Sequence, residues 1–243
     1  MKLLSNFSLY FYFTGTIFLF TSCSSLYYAP NPQNVPLFTE KGEGRLATSF
    51  TASEYTAGIN LSGAYSFADH FGFTGNIFLV GDSDGGLIPN RTMNKGHLVD
   101  AGLIYFLPFG SRFVFESTAG FGGGMARNEG DYGTSTVKFT NYYIQPSLGI
   151  AGKHFDLALS TKYSVLSYNS LSLTTSQTSG DGYPIYEPYA LLEPAITMRF
   201  GWEHVKIQTQ FVRSINLSSA QLSQDYININ FGLYFMLTDK YSR

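Results

Sequence analysis

Apolar and polar residues alternate along most of this chain with the period of two that marks a strand with two unlike faces. The pattern is cleanest near the C-terminus. Ile227, Ile229, Phe231, Leu233, Phe235 and Leu237 share one parity there, and Tyr226, Asn228, Asn230, Gly232 and Tyr234 share the other. A tilted strand of about 9–11 residues crosses a hydrocarbon layer, and this run is long enough to do so. The same alternation predicts nine more strands: 45–53, 58–68, 71–81, 96–107, 112–125, 138–151, 155–168, 188–200 and 204–213.

The connections alternate in length. Tight turns at 69–70, 108–111, 152–154 and 201–203 separate polar stretches at 82–95, 126–137, 169–187 and 214–224; the first connection, 54–57, is the one short exception among the latter. His70, Arg112, His154 and His204 each stand just before an apolar strand start, at spacings of 42, 42 and 50 residues, which reads as a repeated hairpin. The expected architecture is therefore all-β: an antiparallel up-and-down transmembrane β-barrel of about ten strands, with short turns at one rim and long loops at the other. An even strand number puts both termini at the short-turn, periplasmic rim.

Charge supports a bilayer. The parity of Ile59, Phe73, Val99, Phe113, Ile144, Leu159, Ile196 and Ile207 carries no charge in the central segments, whereas the opposite parity carries Arg45, Asp100, Glu116, Asp156, Lys162, Glu193, Arg199 and Lys206. Arg or Lys facing lipid at the midplane costs about 2–4 kcal/mol, so this segregation is what a membrane enforces. A soluble barrel shows the reverse. The eight inward charges, four acidic and four basic, form an expected network that closes a narrow lumen by pairing among themselves. Pro146 and Pro194, on the lipid parity in mid-strand, predict bulges.

Composition agrees. Charged residues make up 13% of the 243, and Tyr and Phe number 18 and 22. A formal net charge of −2 gives no sign of a nucleic-acid partner.

Residues 1–22 read as a secretory signal: Lys2, an apolar core from Phe7 to Phe20, then Thr21 and Ser22. Leu19-Phe20-Thr21-Ser22-Cys23 resembles a bacterial lipobox, although its Leu stands one place further upstream than that family favours. The resemblance implies acylation of Cys23, the chain's single cysteine; an ordinary leader beside an incidental cysteine is the alternative. Residues 23–43, with Pro30, Pro32 and Pro36, are expected to be an extended linker between lipid and barrel, leaving 44–243 as the barrel domain.

Candidate chemistry is sparse. Asp82-Ser83-Asp84-Gly85-Gly86 begins like a calcium loop, yet Met93 stands where a bidentate Glu belongs. His97 and Asp100 could join Asp82 or Asp84 in an Asp/His protease site, but their parities differ. The three turn histidines suit headgroup contact better than a metal site. No catalytic residue, metal site or cofactor is expected.

The segment 230–237 resembles the C-terminal signal of outer-membrane barrel proteins, with Asn230, Gly232, Phe235 and Leu237 at its key places and a tail, 238–243, beyond it. Residues 64–72 and the Pro-containing linker are similar to those of Gram-negative outer-membrane barrels of unassigned function. The resemblance implies insertion by the barrel-assembly machinery and outer-membrane lipid as a partner, and names no substrate. Three functions follow as expectations: a lipid-anchored barrel with a structural or surface-binding role through its outer loops, the 183–186 loop foremost; a narrow small-solute channel; or a periplasmic lipoprotein barrel holding a small ligand.

Overall fold

The computed structural model describes residues 26–82, 93–130, 133–175 and 187–237. Cys23 and the 183–186 loop lie outside the described residues. The strands are β1 (Gly44–Ser53), β2 (Thr56–Ser66), β3 (Phe71–Asp82), β4 (Met93–Phe109), β5 (Phe113–Gly130), β6 (Gly133–Ile150), β7 (Phe155–Thr175), β8 (Tyr189–Gly201), β9 (Val205–Arg213), a two-residue β10 (Ile215–Asn216) and β11 (Ile227–Met236). Each long strand pairs antiparallel with its chain neighbours, β9 pairs β11, and β11 pairs β1. β10 continues β9 in register against β8, so the described chain forms one closed barrel of ten strands.

Parity survives from sequence to structure. Phe50, Phe73, Leu103, Phe121, Tyr142, Leu159, Phe200 and Phe231 are exposed on the outside, while the alternating partners are buried within. In water that exterior would be a very large apolar patch, which no soluble ligand-binding barrel presents. Lipid tails solvate it without cost, and closure leaves no unpaired sheet edge inside the bilayer.

The repeated hairpin has a structural counterpart at the short-turn rim. The carbonyls of His70, Arg112, His154 and His204 accept hydrogen bonds from the backbone N–H groups of Phe106, Ala151, Gly201 and Met236 in turn. The His70 and His154 rings add Nδ1–H bonds to the carbonyls of Phe106 and Gly201 at 3.2 and 3.1 Å. Each of these bonds ties one hairpin to the next strand.

Four expectations are corrected. Neither Pro146 nor Pro194 shifts the register; the irregularity lies at Lys138/Phe139. The stretch 126–137 is mostly strand, because β5 and β6 stay paired up to Gly130 opposite Gly133. Tyr226, expected in the lumen, is 53% exposed. The fourth concerns the linker. Residues 26–43 are no tether outside the barrel but pass through its lumen, with Tyr27, Val35 and Phe38 at most 1% exposed. Leu26 meets Asn128 near the β5–β6 turn, whereas Leu237 bonds to Gly44 at the opposite rim. The two ends of the described chain therefore lie at opposite rims, not together at the short-turn side.

β11 closes against β1 with Asn230 opposite Thr51, Gly232 opposite Ser49 and Phe235 opposite Leu46, and the N–H of Leu237 donates to the Gly44 carbonyl. A Cβ on Gly232 would run into the backbone carbonyl of Thr48 and into Ser49, atoms that no side-chain rotation can move aside. Gly63, by contrast, has nothing closer than 3.8 Å to such a Cβ. Gly232→Ala should therefore remove most of the heat-modifiable, folded band on SDS gels, and Gly63→Ala should leave it intact. Equal bands would refute the steric account of the seam.

Candidate functional site

The inner wall and the threaded segment form one polar structure. Proline shapes the segment: Pro30, Pro32 and Pro36 fix φ and withhold N–H donors, which leaves an extended chain whose carbonyls need outside partners. The wall supplies them. Asn228 Nδ2 donates to the Pro30 carbonyl at 2.8 Å, Asn76 Nδ2 to that of Pro32 at 3.4 Å, and the Tyr234 hydroxyl to that of Pro36 at 2.6 Å. Gln210 exchanges two bonds with the backbone of Gln33, accepting from its N–H at 2.8 Å and donating to its carbonyl at 2.9 Å.

All eight charges of the expected network face inward and are buried. Lys162 and Glu193 pair at 2.9 Å, and Lys206 and Asp156 at 2.7 Å with Arg199 at 3.9 Å. The wall supplies further partners, Tyr143 donating to Asp100 at 3.1 Å and Gln208 accepting from Arg199 at 2.7 Å among them, and the segment supplies the others. Asn31 bridges Asp100 and Lys162, donating to the first at 3.1 Å and accepting from the second at 2.6 Å. The Tyr28 hydroxyl donates to Glu193 at 2.9 Å, Glu116 accepts from the Phe38 N–H at 2.7 Å, and Arg199 donates to the Val35 carbonyl at 2.6 Å. Arg45 pairs at 2.7 Å with Glu43, at the segment's own end.

Apolar groups fit the same way. Cβ atoms built on Gly72 and Gly149 would meet Phe38 and Leu37 at 2.9 and 2.6 Å, so glycine makes the room into which the segment packs. Leu37 takes φ 55°, a left-handed conformation unusual for leucine, where the chain turns along the wall. Two voids beside the segment are small. One of about 10 Å³ is lined by Asn31, Asn76, Asp100, Tyr143 and Lys162, and another of about 30 Å³ lies under Tyr28. The smaller holds about one water.

At the long-loop rim Asp225 fastens the segment's entrance. Its N–H donates to the Tyr28 carbonyl at 3.0 Å, and its carboxylate accepts from the Thr56 hydroxyl at 2.6 Å and the Tyr55 N–H at 3.2 Å. Burial pushes this carboxyl up to about 6 against the pull of the Thr56 and Tyr55 bonds, and Glu54 adds to the rise. A folded-state value above the unfolded one favours the protonated form, so the contribution to stability is full below about 4 and is lost as pH climbs through 6. The melting temperature of the wild type should therefore fall, relative to Asp225→Asn, between about pH 4 and about pH 6, and run parallel to it above that. Curves parallel over the whole range would refute the assignment.

His97 is exposed on the outer face and Asp100 is buried on the inner, so the two cannot form a protease dyad. The side chains of Asp82 and Asp84 lie outside the described residues. Among the described residues no group of three His, Cys, Asp or Glu could hold a metal ion. The threaded segment is the feature that alternation could not reveal. Its one sequence signal is an excess of apolar side chains, Leu26-Tyr27-Tyr28 and Val35 to Phe38, in a supposedly solvated linker.

The sequence matches no protein-family model and no curated protein. Two solved structures are similar in outline. The outer membrane protease OmpT from Escherichia coli has 11% identity and a TM-score of 0.45, over 84% of this chain and 99% of its own. The KdgM porin has 11% identity and a TM-score of 0.35, over 79% and 98%. At such identity neither offers a residue correspondence.

Proposed function

We propose that this chain is a lipid-anchored integral barrel of the Gram-negative outer membrane, closed by its own N-terminal segment, with a non-enzymatic structural or surface-binding role at its long-loop rim. One observation carries the reading: residues 26–38 occupy the lumen and satisfy the charges that a conducting pathway would leave to water. Short turns face the periplasm and long loops the exterior in such barrels, so the segment enters from the outer side. Cys23 stands three residues before Leu26 in the chain, so acyl chains on it would hold the mouth of the segment to the outer leaflet. The barrel-assembly machinery would insert the chain, reading Asn230, Gly232, Phe235 and Leu237 on the closing strand.

The test combines three readings of the envelope-purified protein: SDS mobility before and after boiling, the intact mass of its N-terminus, and protease access in whole cells to an epitope inserted after Ser25. The proposal expects a heat-modifiable band, a diacylglyceryl mass on Cys23 and a surface-accessible epitope. Absence of heat modification defeats the integral barrel, an unacylated N-terminus defeats the anchor, and an epitope reached only after cell lysis defeats the outward entrance.

A further inference from the structure

Outside the lumen the strongest unassigned feature is a basic patch on the lipid-facing side of β4–β7 near the long-loop rim. Cross-strand pairing lays two outward rows side by side. Lys95, Arg127, Thr136 and Ser172 are successive partners in the upper row, and His97, Met125, Lys138 and Ser170 in the lower. Two rows below begins the apolar belt, at Ala101, Phe121, Tyr142 and Val165. The cations therefore stand just above the hydrocarbon-facing surface and point away from the barrel, toward the place of lipid headgroups.

Two observations make this more than a solvated rim. Arg127 is paired with Glu129 at 2.7 Å, but Lys95 and Lys138 have no carboxylate partner among the described residues, so the patch keeps a net charge of about +2. The register shift at Lys138/Phe139 accompanies a concavity of about 500 Å³, lined by Arg127, Lys138, Thr134, Thr136, Ser170 and Ser172. Among the described residues its wall thus offers two cations and four hydroxyls and no carboxylate. Strand pairing between polar residues holds these groups on a rigid sheet, not on a loop.

We propose that this patch binds a phosphorylated, hydroxyl-rich amphiphile of the outer leaflet, a glycolipid of the lipid A type. Phosphate oxygens would accept from Lys95, Arg127 and Lys138, sugar hydroxyls would exchange bonds with the Thr and Ser side chains, and acyl chains would run down over Phe121 and Tyr142. A free phosphate would find the cations but make no use of the apolar belt beneath them. The inference rests on the proposed function, which puts this rim at the outer leaflet.

The experiment is native mass spectrometry of the full-length protein in detergent, titrated with diphosphorylated lipid A, with its dephosphorylated form and with inorganic phosphate. Wild type should retain the phosphorylated lipid, and K95Q/R127Q/K138Q should bind it about a hundredfold more weakly, the scale expected for loss of three surface cations. Dephosphorylated lipid should bind both proteins weakly and alike. Equal affinity of wild type and variant for lipid A, or indifference of the wild type to the phosphates, overturns the site. Inorganic phosphate competing at the same affinity as the lipid overturns the amphiphile assignment. Heat-modifiable mobility is measured on both proteins: its loss in the variant alone is checked with K95Q/K138Q, which spares the Arg127–Glu129 pair, and its absence from wild type would mark failure of the membrane-barrel reading itself.

Discussion

Discrete conductance steps should appear in planar bilayers once the threaded segment of a Cys23→Ser chain, which carries no acyl anchor, is cut free and washed out of a barrel that has already folded. A specific protease site placed between Lys41 and Gly42 makes this possible, because the chain there is at the surface of the short-turn rim. Cleavage after folding separates the role of the segment in closing the lumen from any role in assembly. Intact wild type should show no steps under the same voltage. The effect is all-or-none because the segment is the lumen's filling: two voids beside it among the described residues measure about 30 and 10 Å³. Its departure would expose Asp100, Lys162, Glu193 and Glu116 to water, and charged walls hold a hydrated path open. Silence after mass spectrometry confirms loss of the segment would mean that the wall side chains alone seal the barrel, as the sequence reading supposed.

The second large effect lies in the Lys162–Glu193 pair. Glu193 is fully buried and meets both Lys162 and the Tyr28 hydroxyl. Glu193→Ala leaves a buried ammonium that keeps its bond to Asn31 and the face of the Tyr143 ring at 5.9 Å but loses its paired carboxylate, and stranding one partner of a buried pair costs about 3–5 kcal/mol. Replacing both, as Lys162→Met with Glu193→Leu, removes the stranded charge along with its partner and should restore most of that loss. Urea unfolding from detergent or lipid, followed by tryptophan fluorescence or gel mobility, reads both variants. Equal destabilisation by the single and the double change would show that the pair itself, not the stranded charge, carries the stability. The segment should also loosen in Glu193→Ala, since Tyr28 loses its acceptor.

Alternation made the barrel legible because a bilayer allows no compromise on its outer face. At Ile59, Phe73, Leu159 and Ile207 a one-residue slip would set polar groups in lipid, so parity there is fixed in the residues themselves. Outside the hydrocarbon that pressure ends. Thr134, Thr136 and Lys138 face water or headgroups while Ser135 faces inward, and a strand polar on both sides looks like a loop. For that reason 126–137 and 169–187 read as loops in sequence, although 126–130, 133–137 and 170–175 are paired strand. The inner face was legible in charge and not in partnership. Asp100, Glu116, Lys162 and Arg199 announce a network, but nothing in their spacing says that Asn31, Phe38 and Val35 complete it from a segment that precedes every strand.

Glycine explains part of that silence. Gly120, Gly122 and Gly124 lie beneath Tyr143, Asn141 and Phe139 of the neighbouring strand, whose side chains a Cβ would strike. The inner faces of β5 and β6 thus fit each other side by side, and in sequence the Gly-rich run 120–124 reads as flexibility. Gly72 and Gly149 similarly accept Phe38 and Leu37. A proline-containing segment with seven apolar side chains among Leu26 to Phe38 was the counterpart to look for, since such groups have no stabilising partner in a solvated tether.

Threading itself is best tested by a covalent link between segment and wall. Asn34 Nδ2 stands 2.7 Å from Thr74 Oγ1, on β3 inside the barrel. A chain carrying Asn34→Cys and Thr74→Cys, oxidised in the membrane and digested, should yield a disulfide-linked pair of peptides, one containing position 34 and the other position 74. Recovery of that pair in most of the heat-modifiable protein is the predicted result. Its absence, together with free labelling of the thiol at position 34 by a bulky maleimide from the periplasmic side, would place the segment outside the lumen and contradict the account.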